Sequence, residues 1–428
     1  MFPQVCLVLK TRPGEMWLDP KIHLPSSFER TMSDQNQYGI MADHPSGEPP
    51  LIYLNNAATS WPKPPEVLAE VARCLETPFF EHGRSTAGGA TDYPSAARDA
   101  LAGFLNAEEP DHIIFTQSAT DSLNILIHGF AKNQKKPFHA ITTELEHNSV
   151  LRPLQTLKEE GHLALSLVPF EDNRVSLPDI KKALEPDTRL VVMTHGSNVL
   201  GSLQHIRPVA EYCASNEIFL IVDGAQTAGQ VPINLAEIPA GAFVFTGHKA
   251  LFGLPGTGGF YIQDPEAVAP VRQGGTGTDS RTLAHPQDMP QRFEAGTPNY
   301  PGIASLLAGI RYIECEGQDV ISNKCRSLIS HMVGKLSEDP NIILYNQNPD
   351  LPVISFNIRN MDNDEAGYIL AKAYGIVTRT GLHCAPLVHQ RIDGGKGCVR
   401  LSFSHLNTPE ECRSAVKSVR EVAEGANS

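Results

Sequence analysis

The stretch Ile218-Phe219-Leu220-Ile221-Val222-Asp223-Gly224-Ala225-Gln226 decides the fold, together with the later segment Ala242-Phe243-Val244-Phe245-Thr246-Gly247-His248-Lys249. Each begins with a short apolar run rich in Val, Ile and Phe, which is typical of a buried strand. Each then ends in polar residues, and Lys249 follows Asp223 by 26 residues. Ligands of open α/β sheets bind at the carboxyl ends of the strands. We therefore expect this lysine and this aspartate at one edge of one sheet.

A lysine amine and a carboxylate at one sheet edge fit the needs of a pyridoxal 5'-phosphate (PLP) enzyme. The amine forms a Schiff base with the cofactor aldehyde, and the carboxylate pairs with the pyridinium nitrogen. Lys249 and Asp223 therefore predict a PLP site.

Strand-like and helix-like segments alternate around these two strands, which indicates crossover units and a mostly parallel sheet with helices on both faces. The first convincing strand is Leu51–Leu54, and a helix is predicted over 65–75. Further strands are predicted at 112–116, 138–143, 163–169, 189–194, 218–222, 242–246 and 258–262. Helices are predicted near 94–105, 120–131, 148–160, 177–185 and 206–216.

The pattern changes after about residue 300. Helices at 300–316 and 319–337 lead into short strands near 342–345, 352–358 and 399–404, with helices near 364–374 and 409–424. We predict a large α/β domain over 51–300, with 51–75 packing near a smaller α+β domain over 301–428. Residues 1–50 are polar and rich in Pro and Ser, and we expect a poorly ordered N-terminal extension there.

Composition favours a soluble cytoplasmic protein. The net charge of −13 argues against a nucleic-acid-binding surface, and no apolar run is long enough for a membrane span. The eight cysteines form no Cys-x-x-Cys pair and no zinc spacing, which suggests reduced thiols and predicts no metal site.

Ser118-Ala119-Thr120-Asp121 follows a predicted strand and opens a helix. Free backbone N–H groups at a helix start form a phosphate cradle when small residues allow close approach. A simple helix N-cap is the alternative interpretation, because such residues cap helices anyway.

Three polar residues follow other strands at the same edge. His147 could stack on a flat ring and exchange protons near neutral pH. Asn198 could bind a substrate carboxylate or a ring oxygen, and Gln226 could donate to a ring hydroxyl. Each also has a purely structural interpretation, as a core histidine, a turn asparagine or a helix-start amide.

Two further candidates lie near the carboxyl end of the chain. Arg379-Thr380-Gly381-Leu382-His383-Cys384 ends in a thiol within a loop punctuated by Gly and Pro. A nearby cation lowers the pKa of a thiol and makes it a better nucleophile. Arg400 begins a predicted strand, and its guanidinium could bind a carboxylate through two parallel hydrogen bonds. The alternatives are an inert buried cysteine and a surface arginine, and Cys398 is assigned to packing.

These motifs resemble the class V (fold-type I) PLP family, and most closely its cysteine desulfurases and selenocysteine lyases. The resemblance runs from about Leu51 to about Val422. It rests on Asn56-Ala57-Ala58, Ala119-Thr120, Glu146-His147, Ser197-Asn198, Asp223-Gly224-Ala225-Gln226, Gly247-His248-Lys249, Phe293-Glu294-Ala295-Gly296-Thr297-Pro298, Arg379-Thr380-Gly381 with Cys384, and Arg400.

The resemblance implies a role for each matching residue. Lys249 would attach the cofactor and move the α-proton, and Asp223 would keep the pyridine nitrogen protonated. His147 would be a further catalytic residue that stacks on the ring and helps move protons. Other cofactor contacts would come from Ala119, Thr120, Asn198, Gln226, Thr246 and His248, and from Thr297 of the neighbouring subunit of a homodimer. The substrate would be bound by Ala57, Asn198, Arg379 and Arg400. Cys384 would attack the substrate sulfur and carry that sulfur away as a Cys384 persulfide.

The resemblance therefore implies a cysteine desulfurase, a sulfurtransferase that converts L-cysteine to L-alanine and delivers sulfur to an acceptor protein or small thiol. Asn55 stands where many relatives carry aspartate, and the short loop around Cys384 resembles the type II desulfurases, which depend on an accepting partner. Alternatives are a selenocysteine lyase acting on L-selenocysteine, another class V enzyme (aminotransferase, epimerase or β-lyase), and a non-enzymatic sulfur-transfer scaffold.

Overall fold

The computed structural model describes residues 49–78, 91–278 and 281–428. Its largest sheet has seven strands. The strands of this part of the chain are β1 (Ile52–Tyr53), β2 (Ile113–Thr116), β3 (Phe138–Thr143), β4 (Leu163–Val168), β5 (Thr188–Thr194), β6 (Phe219–Asp223), β7 (Ala242–Thr246), β8 (Gly258–Ile262), β9 (Ile342–Leu344), β10 (Val353–Ile358), β11 (Ile376–Val377) and β12 (Val399–Ser402). The α-helices are α1 (Pro65–Glu76), α2 (Tyr93–Leu105), α3 (Ala119–Asn133), α4 (Asn148–Glu159), α5 (Leu177–Lys182), α6 (Ile206–Ser215), α7 (Tyr300–Glu316), α8 (Gln318–Leu336), α9 (Asn363–Tyr374), α10 (Pro386–Ile392) and α11 (Pro409–Asn427).

The strand order of the large sheet is β2-β8-β7-β6-β5-β3-β4. Only β8 runs antiparallel to its neighbours, and the remaining six strands are parallel to one another. This confirms the predicted α/β class and the mostly parallel seven-stranded sheet.

The central strands form because their side chains are apolar on both faces. In β7 all five residues are buried, and in β6 four of the five are. Two apolar clusters cover the two faces, one including Val191, Val222 and Phe245, the other Val192, Ile221 and Val244. Side chains alternate between the two faces of a strand, and both faces are buried here. Nearly every position is therefore apolar, and the segments appear in the sequence as continuous apolar runs.

A second set of strands lies at the carboxyl end of the chain. The antiparallel sheet β12-β10-β9 packs with α8 and α11 in its own apolar cluster, which includes Phe356, Met332 and Val419. β1 pairs in parallel with β11, so the segment that begins the described chain is joined to this region. Residues 49–428 form one compact unit, and the domain boundary near residue 300 stays a prediction.

Two short elements were missed by the sequence analysis. The two-residue strand β11 exists because it pairs with β1, a contact that no local pattern reveals. Helix α10 begins at Pro386, within the segment that we interpreted as a loop. The predicted extension over 1–50 lies outside the described residues except for 49 and 50. Among the described helices, none is both long and apolar enough to cross a membrane.

Candidate active site

The carboxyl ends of β5, β6 and β7 bring the central residues together. Asp223, the last residue of β6, pairs with Thr194 of β5 on one side and Val244 of β7 on the other. Lys249 lies three residues after β7 ends. These strand ends border a cavity of about 200 Å³. Its lining includes the predicted residues Ala57, Ala119, Thr120, His147, Asn198, Asp223, Gln226, Thr246, His248, Lys249, Arg379 and Arg400.

Lys249 and Asp223 interact electrostatically within this cavity. Desolvation lowers the pKa of the Lys249 amine to about 8, and Arg400 and Arg379 act in the same direction while Asp223 opposes them. Burial raises the pKa of the Asp223 carboxyl, while the hydrogen bond from Ala225 N and the charge of Lys249 lower it. A lysine with a lowered pKa is a better nucleophile near neutral pH.

Glu146 is a buried acid to which the sequence analysis assigned no role. Its Oε1 accepts hydrogen bonds from Thr143 Oγ1 at 2.7 Å and from Thr194 N at 3.0 Å. Its Oε2 is buried without a hydrogen-bond partner among the described residues. Burial raises the pKa of the Glu146 carboxyl to about 8, and the neighbouring Asp223 also acts to raise it. The group is therefore mostly protonated at neutral pH.

His147 lies between the end of β3 and the start of α4, with its imidazole in the cavity. Its Nδ1 accepts a hydrogen bond from Ser149 N at 3.0 Å and contacts Ser149 Oγ at 2.7 Å. Burial lowers the pKa of His147 to about 4, and Lys249 and Arg379 lower it too. The imidazole is therefore neutral at physiological pH, with its proton on Nε2. This favours ring stacking and differs from the expectation of proton exchange near neutral pH.

One end of the cavity presents groups suited to a phosphate. The first turn of α3, with Ala119 and Thr120, opens onto it, and Ser118 caps the helix by accepting from Asp121 N at 3.2 Å. The N-cap interpretation and the cradle interpretation are thus compatible. Gly258 permits this approach, because a Cβ at that position would lie 2.8 Å from the Ser118 backbone.

His248 and Thr246 also line the cavity, since Thr246 is the last residue of β7 and His248 follows it by two residues. The Nδ1 of His248 is buried with no hydrogen-bond partner in the described part of the chain, and a buried polar atom of this kind needs a ligand or water. Burial lowers the pKa of His248 to about 4, so the imidazole is neutral. Its carbonyl oxygen accepts from Ser60 N at 2.9 Å and Lys63 Nζ at 3.2 Å, which holds the segment after β1 against this loop.

Gln226 and Ala57 lie next to each other at the cavity wall. Gln226 Nε2 donates to Ala57 O at 3.1 Å. One amide proton is therefore engaged within the chain, and the other remains for a ligand group.

Arg400 is a buried cation at the other end of the cavity, not a surface residue. Only 1% of its area is exposed. Its Nη1 donates to Asn198 O at 2.9 Å and its Nη2 to Asn55 Oδ1 at 3.3 Å, while its Nε is buried without a partner among the described residues. These partners are all neutral, so the positive charge is available to an anionic ligand. Asn198 uses its amide nitrogen to hold the backbone of the cysteine loop, at 2.8 Å from His383 O.

Cys384 lies beside this cationic end on the loop between β11 and α10. Its Sγ is 3.7 Å from Arg379 Nη2, and the backbone of Asn148 donates to Cys384 O at 2.7 Å. Cys384 is half-buried, whereas Cys74, Cys213, Cys325, Cys398 and Cys412 are buried and Cys315 is exposed. Cys384 is absent from the cavity lining itself, but it contacts Arg379, which lines the cavity, and its charge acts on the Lys249 amine.

Thr297 is exposed and does not line the cavity of its own chain. Its assignment as a contact from a neighbouring subunit therefore stays a prediction. Without it, the cavity still holds a lysine, a carboxyl, a flat neutral imidazole and a phosphate cradle with an unpartnered His248 nitrogen. The residues present fit PLP.

Comparisons with known proteins agree with this geometry. The family model for aminotransferase class-V matches residues 52–414. The apo structure of a cysteine desulfurase from Thermococcus onnurineus NA1 has a TM-score of 0.81 and 29% identity, covering 88% of this chain and 95% of that one. The cysteine desulfurase CsdA from Escherichia coli, in an S-sulfonic acid form, has a TM-score of 0.80 and 26% identity, covering 87% and 94%.

Sequence relatives carry similar names. A cysteine desulfurase from Pectobacterium atrosepticum is 29% identical over 92% of this chain and 98% of its own length. A probable cysteine desulfurase from Mycolicibacterium paratuberculosis is 31% identical over 91% of this chain, and the match spans 58% of that longer protein.

Proposed function

Because this chain belongs to the aminotransferase class-V family, we propose that it is a PLP-dependent cysteine desulfurase that converts L-cysteine to L-alanine. The sulfur would be transferred to Cys384 as a persulfide and then delivered to an acceptor. The position of Cys384 carries this proposal, with its Sγ 3.7 Å from the Arg379 guanidinium that lines the Lys249 cavity.

The cofactor-binding roles follow from the chemistry of each group. PLP bound at this site would supply an electron sink for the bonds of the substrate α-carbon. Lys249 would tether it and carry the α-proton, since an amine with a pKa of about 8 exchanges protons near neutral pH. Asp223 would pair with the pyridine nitrogen and the neutral His147 would stack on the ring. The α3 N-terminus, Thr246 and His248 would hold the phosphate.

The substrate roles follow from the cationic end of the cavity. Arg400 and Arg379 would bind the carboxylate of L-cysteine, with Asn198 and Ala57 fixing its position. The Cys384 thiolate would then attack the substrate sulfur. An S–S bond forms and the substrate Cβ–S bond breaks with its electron pair left on the carbon side. Cβ then takes up a proton and L-alanine leaves, so one L-cysteine yields one L-alanine and one persulfide.

A second thiol must accept the persulfide sulfur, and an acceptor protein or a small thiol would supply it. Homodimer formation would bring Thr297 to the phosphate of the neighbouring subunit, and the reduced cysteines fit a cytoplasmic location. L-selenocysteine is the alternative substrate, because the same residues would bind it and selenium leaves carbon more easily.

The experiment measures products with L-cysteine and, separately, L-selenocysteine. Wild type should form L-alanine and a persulfide that alkylating reagents detect on a Cys384 peptide. Cys384→Ser should bind PLP with wild-type absorbance but lose persulfide and most L-alanine from L-cysteine. Cys315→Ser, which changes an exposed thiol, is the matched control and should behave as wild type.

Two results would refute the proposal. If Cys384→Ser formed L-alanine from L-cysteine at the wild-type rate, Cys384 would not be the nucleophile. If Lys249→Ala turned over L-cysteine normally, the reaction would not proceed through PLP bound to Lys249. Turnover of L-selenocysteine but not L-cysteine by wild type would select the lyase alternative.

A further inference from the structure

A cluster of three buried side chains lies at the base of the Cys384 loop, and none of them has a role in the proposed reaction, although His383 also lines the Lys249 cavity. His383, His389 and Cys398 are 3%, 0% and 0% exposed. His383 Nδ1 lies 3.3 Å from His389 Nε2 and 3.9 Å from Cys398 Sγ. The three atoms all lie within 4.8 Å of one another. Three different elements meet here, since His383 lies in the loop, His389 in α10 and Cys398 just before β12.

The outer nitrogens of both imidazoles face acceptors. His389 Nδ1 lies 2.6 Å from the carboxylate oxygen Asp393 Oδ2, and His383 Nε2 lies 3.2 Å from Arg379 O. A carbonyl oxygen only accepts hydrogen bonds, and a carboxylate does the same. Each outer nitrogen is therefore placed to donate a hydrogen bond.

The inner nitrogens face each other and the Cys398 sulfur. With both outer nitrogens donating, each inner nitrogen has a lone pair for a metal ion, and a Cys398 thiolate would supply a third ligand atom. A metal ion placed between them would bind all three atoms at once.

We propose that His383, His389 and Cys398 bind a zinc ion that fixes the loop carrying Cys384. Two nitrogens bound tetrahedrally to zinc at about 2.0–2.1 Å are roughly 3.3 Å apart, and a nitrogen and a thiolate sulfur are roughly 3.5 Å apart. The observed separations of 3.3 and 3.9 Å are close to these values. Zinc-bound histidines also donate their other N–H group to a carboxylate or a backbone carbonyl, as both do here.

The charges and a further polar atom support the site. A divalent ion with the Cys398 thiolate and the adjacent Asp393 carboxylate is electrically neutral, which suits a buried position. Asn357, whose Nδ2 donates to Gly397 O at 2.9 Å, has a buried Oδ1 with no partner among the described residues. The Nδ2 contact places the Asn357 amide against the residue before Cys398, and its oxygen is the candidate for the fourth ligand, directly or through a water molecule.

The backbone of the loop explains what such an ion would do. His383 and Cys384 are two consecutive non-glycine residues with positive φ angles, 49° and 57°. A non-glycine residue in this conformation is strained and persists only where its surroundings hold it. A ligand bond to His383 would hold this conformation and keep Cys384 beside Arg379. The site stands whether or not the proposed desulfurase activity is correct.

The experiment measures metal content in tag-free, full-length protein loaded with PLP and grown with zinc. Wild type should hold about one zinc per chain, as a three-ligand site of this kind would. His389→Gln and Cys398→Ser should lose most of it. Cys412→Ser, which changes a buried thiol of α11, and Cys384→Ser should keep it.

Cobalt substitution supplies an independent measurement, made on Cys384→Ser protein that binds PLP with wild-type absorbance. Cobalt bound to Cys384→Ser should show a thiolate charge-transfer band and tetrahedral visible bands, which places a thiolate other than Cys384 on the metal. Absence of both zinc and cobalt binding from Cys384→Ser and wild type would overturn the proposal. Full zinc content in both His389→Gln and Cys398→Ser would also overturn it, because the ion would then be bound elsewhere.

Discussion

Replacing Glu146 by glutamine should stabilise the protein, and the gain should increase with pH. The Glu146 carboxyl is buried, and its pKa is raised from an ordinary value of 4.5 to about 8, first by burial. The unfolded chain ionises this group above pH 4.5, whereas the folded chain keeps it protonated until about pH 8. The stability of the wild type therefore falls as pH rises between these two values and is level above them.

The magnitude follows from the two pKa values. Each pH unit in this window costs about 1.4 kcal/mol. The wild type should lose about 2 kcal/mol by pH 6 and on the order of 5 kcal/mol by pH 8.5 through this one group. The amide side chain of the Glu146→Gln variant ionises in neither state and escapes the loss. Its oxygen can accept from Thr143 Oγ1 and Thr194 N, as Glu146 Oε1 does.

The assay is urea unfolding of the PLP-free protein at pH 6 and pH 8.5. The advantage of Glu146→Gln over wild type should widen by about 2.5 kcal/mol between the two pH values. Glu144→Gln is the matched control from the same loop, since Glu144 forms an ion pair with Arg391 at 3.5 Å. An advantage that is the same at both pH values, or a less stable Glu146→Gln protein at pH 8.5, would show that Glu146 is ionised in the fold.

Three further predictions concern the ligands of the cavity. Because the pKa of Lys249 is lowered to about 8, the rate of PLP incorporation into PLP-free protein should rise about tenfold per pH unit below pH 8 and level off above it; a cofactor absorbance that develops equally fast from pH 6 to pH 9 would contradict this. Gly258→Ala would place a Cβ 2.8 Å from the Ser118 backbone, so PLP titration should show at least about tenfold weaker binding. Gly334→Ala, where nothing lies within 4 Å of the added carbon, should leave that binding unchanged. Arg400→Gln should raise KM for L-cysteine by about 10- to 100-fold, the worth of a charged hydrogen bond, with a smaller change in kcat; steady-state kinetics showing an unchanged KM would exclude Arg400 from substrate binding.

The sheet could be predicted from the sequence because a strand that is buried on both faces has a recognisable local pattern, a continuous run of apolar residues. The predicted strand 242–246 has the same bounds as β7, and every residue of β7 is apolar or small enough to be buried between two helical layers. The short strand β11 has no such local pattern, because its existence depends on pairing with β1, which lies far away near the start of the described chain. Helix α10 did leave a signal, since proline favours the first position of a helix and Pro386 occupies it.

The site could be predicted as a set of residues but not as a set of chemical states. The strand-end rule placed Asp223 and Lys249 at one edge, and both line the cavity. The protonated state of Glu146 and the neutral state of His147 come from desolvation, which depends on how neighbouring elements pack over them. The expectation of no metal site rested on spacing, and His383, His389 and Cys398 follow no standard spacing. Their proximity arises because α10 and the start of β12 both pack against the Cys384 loop.

These chemical states give the cavity a definite charge. Arg379 and Arg400 are cations, Lys249 is partly protonated near its pKa of about 8, and the imidazoles of His147 and His248 are neutral. Glu146 is mostly protonated, which leaves Asp223 as the carboxyl able to oppose this charge. A cavity with more buried positive than negative charge favours anionic ligands, because each anion recovers part of the desolvation cost of the cations. Asn55, which accepts a hydrogen bond from Arg400 Nη2, is neutral and leaves this excess in place. The positive groups lie at two ends of the cavity, with the α3 N-terminus at one end and the two arginines at the other. This arrangement suits a cofactor phosphate at the first end and an amino acid carboxylate at the second.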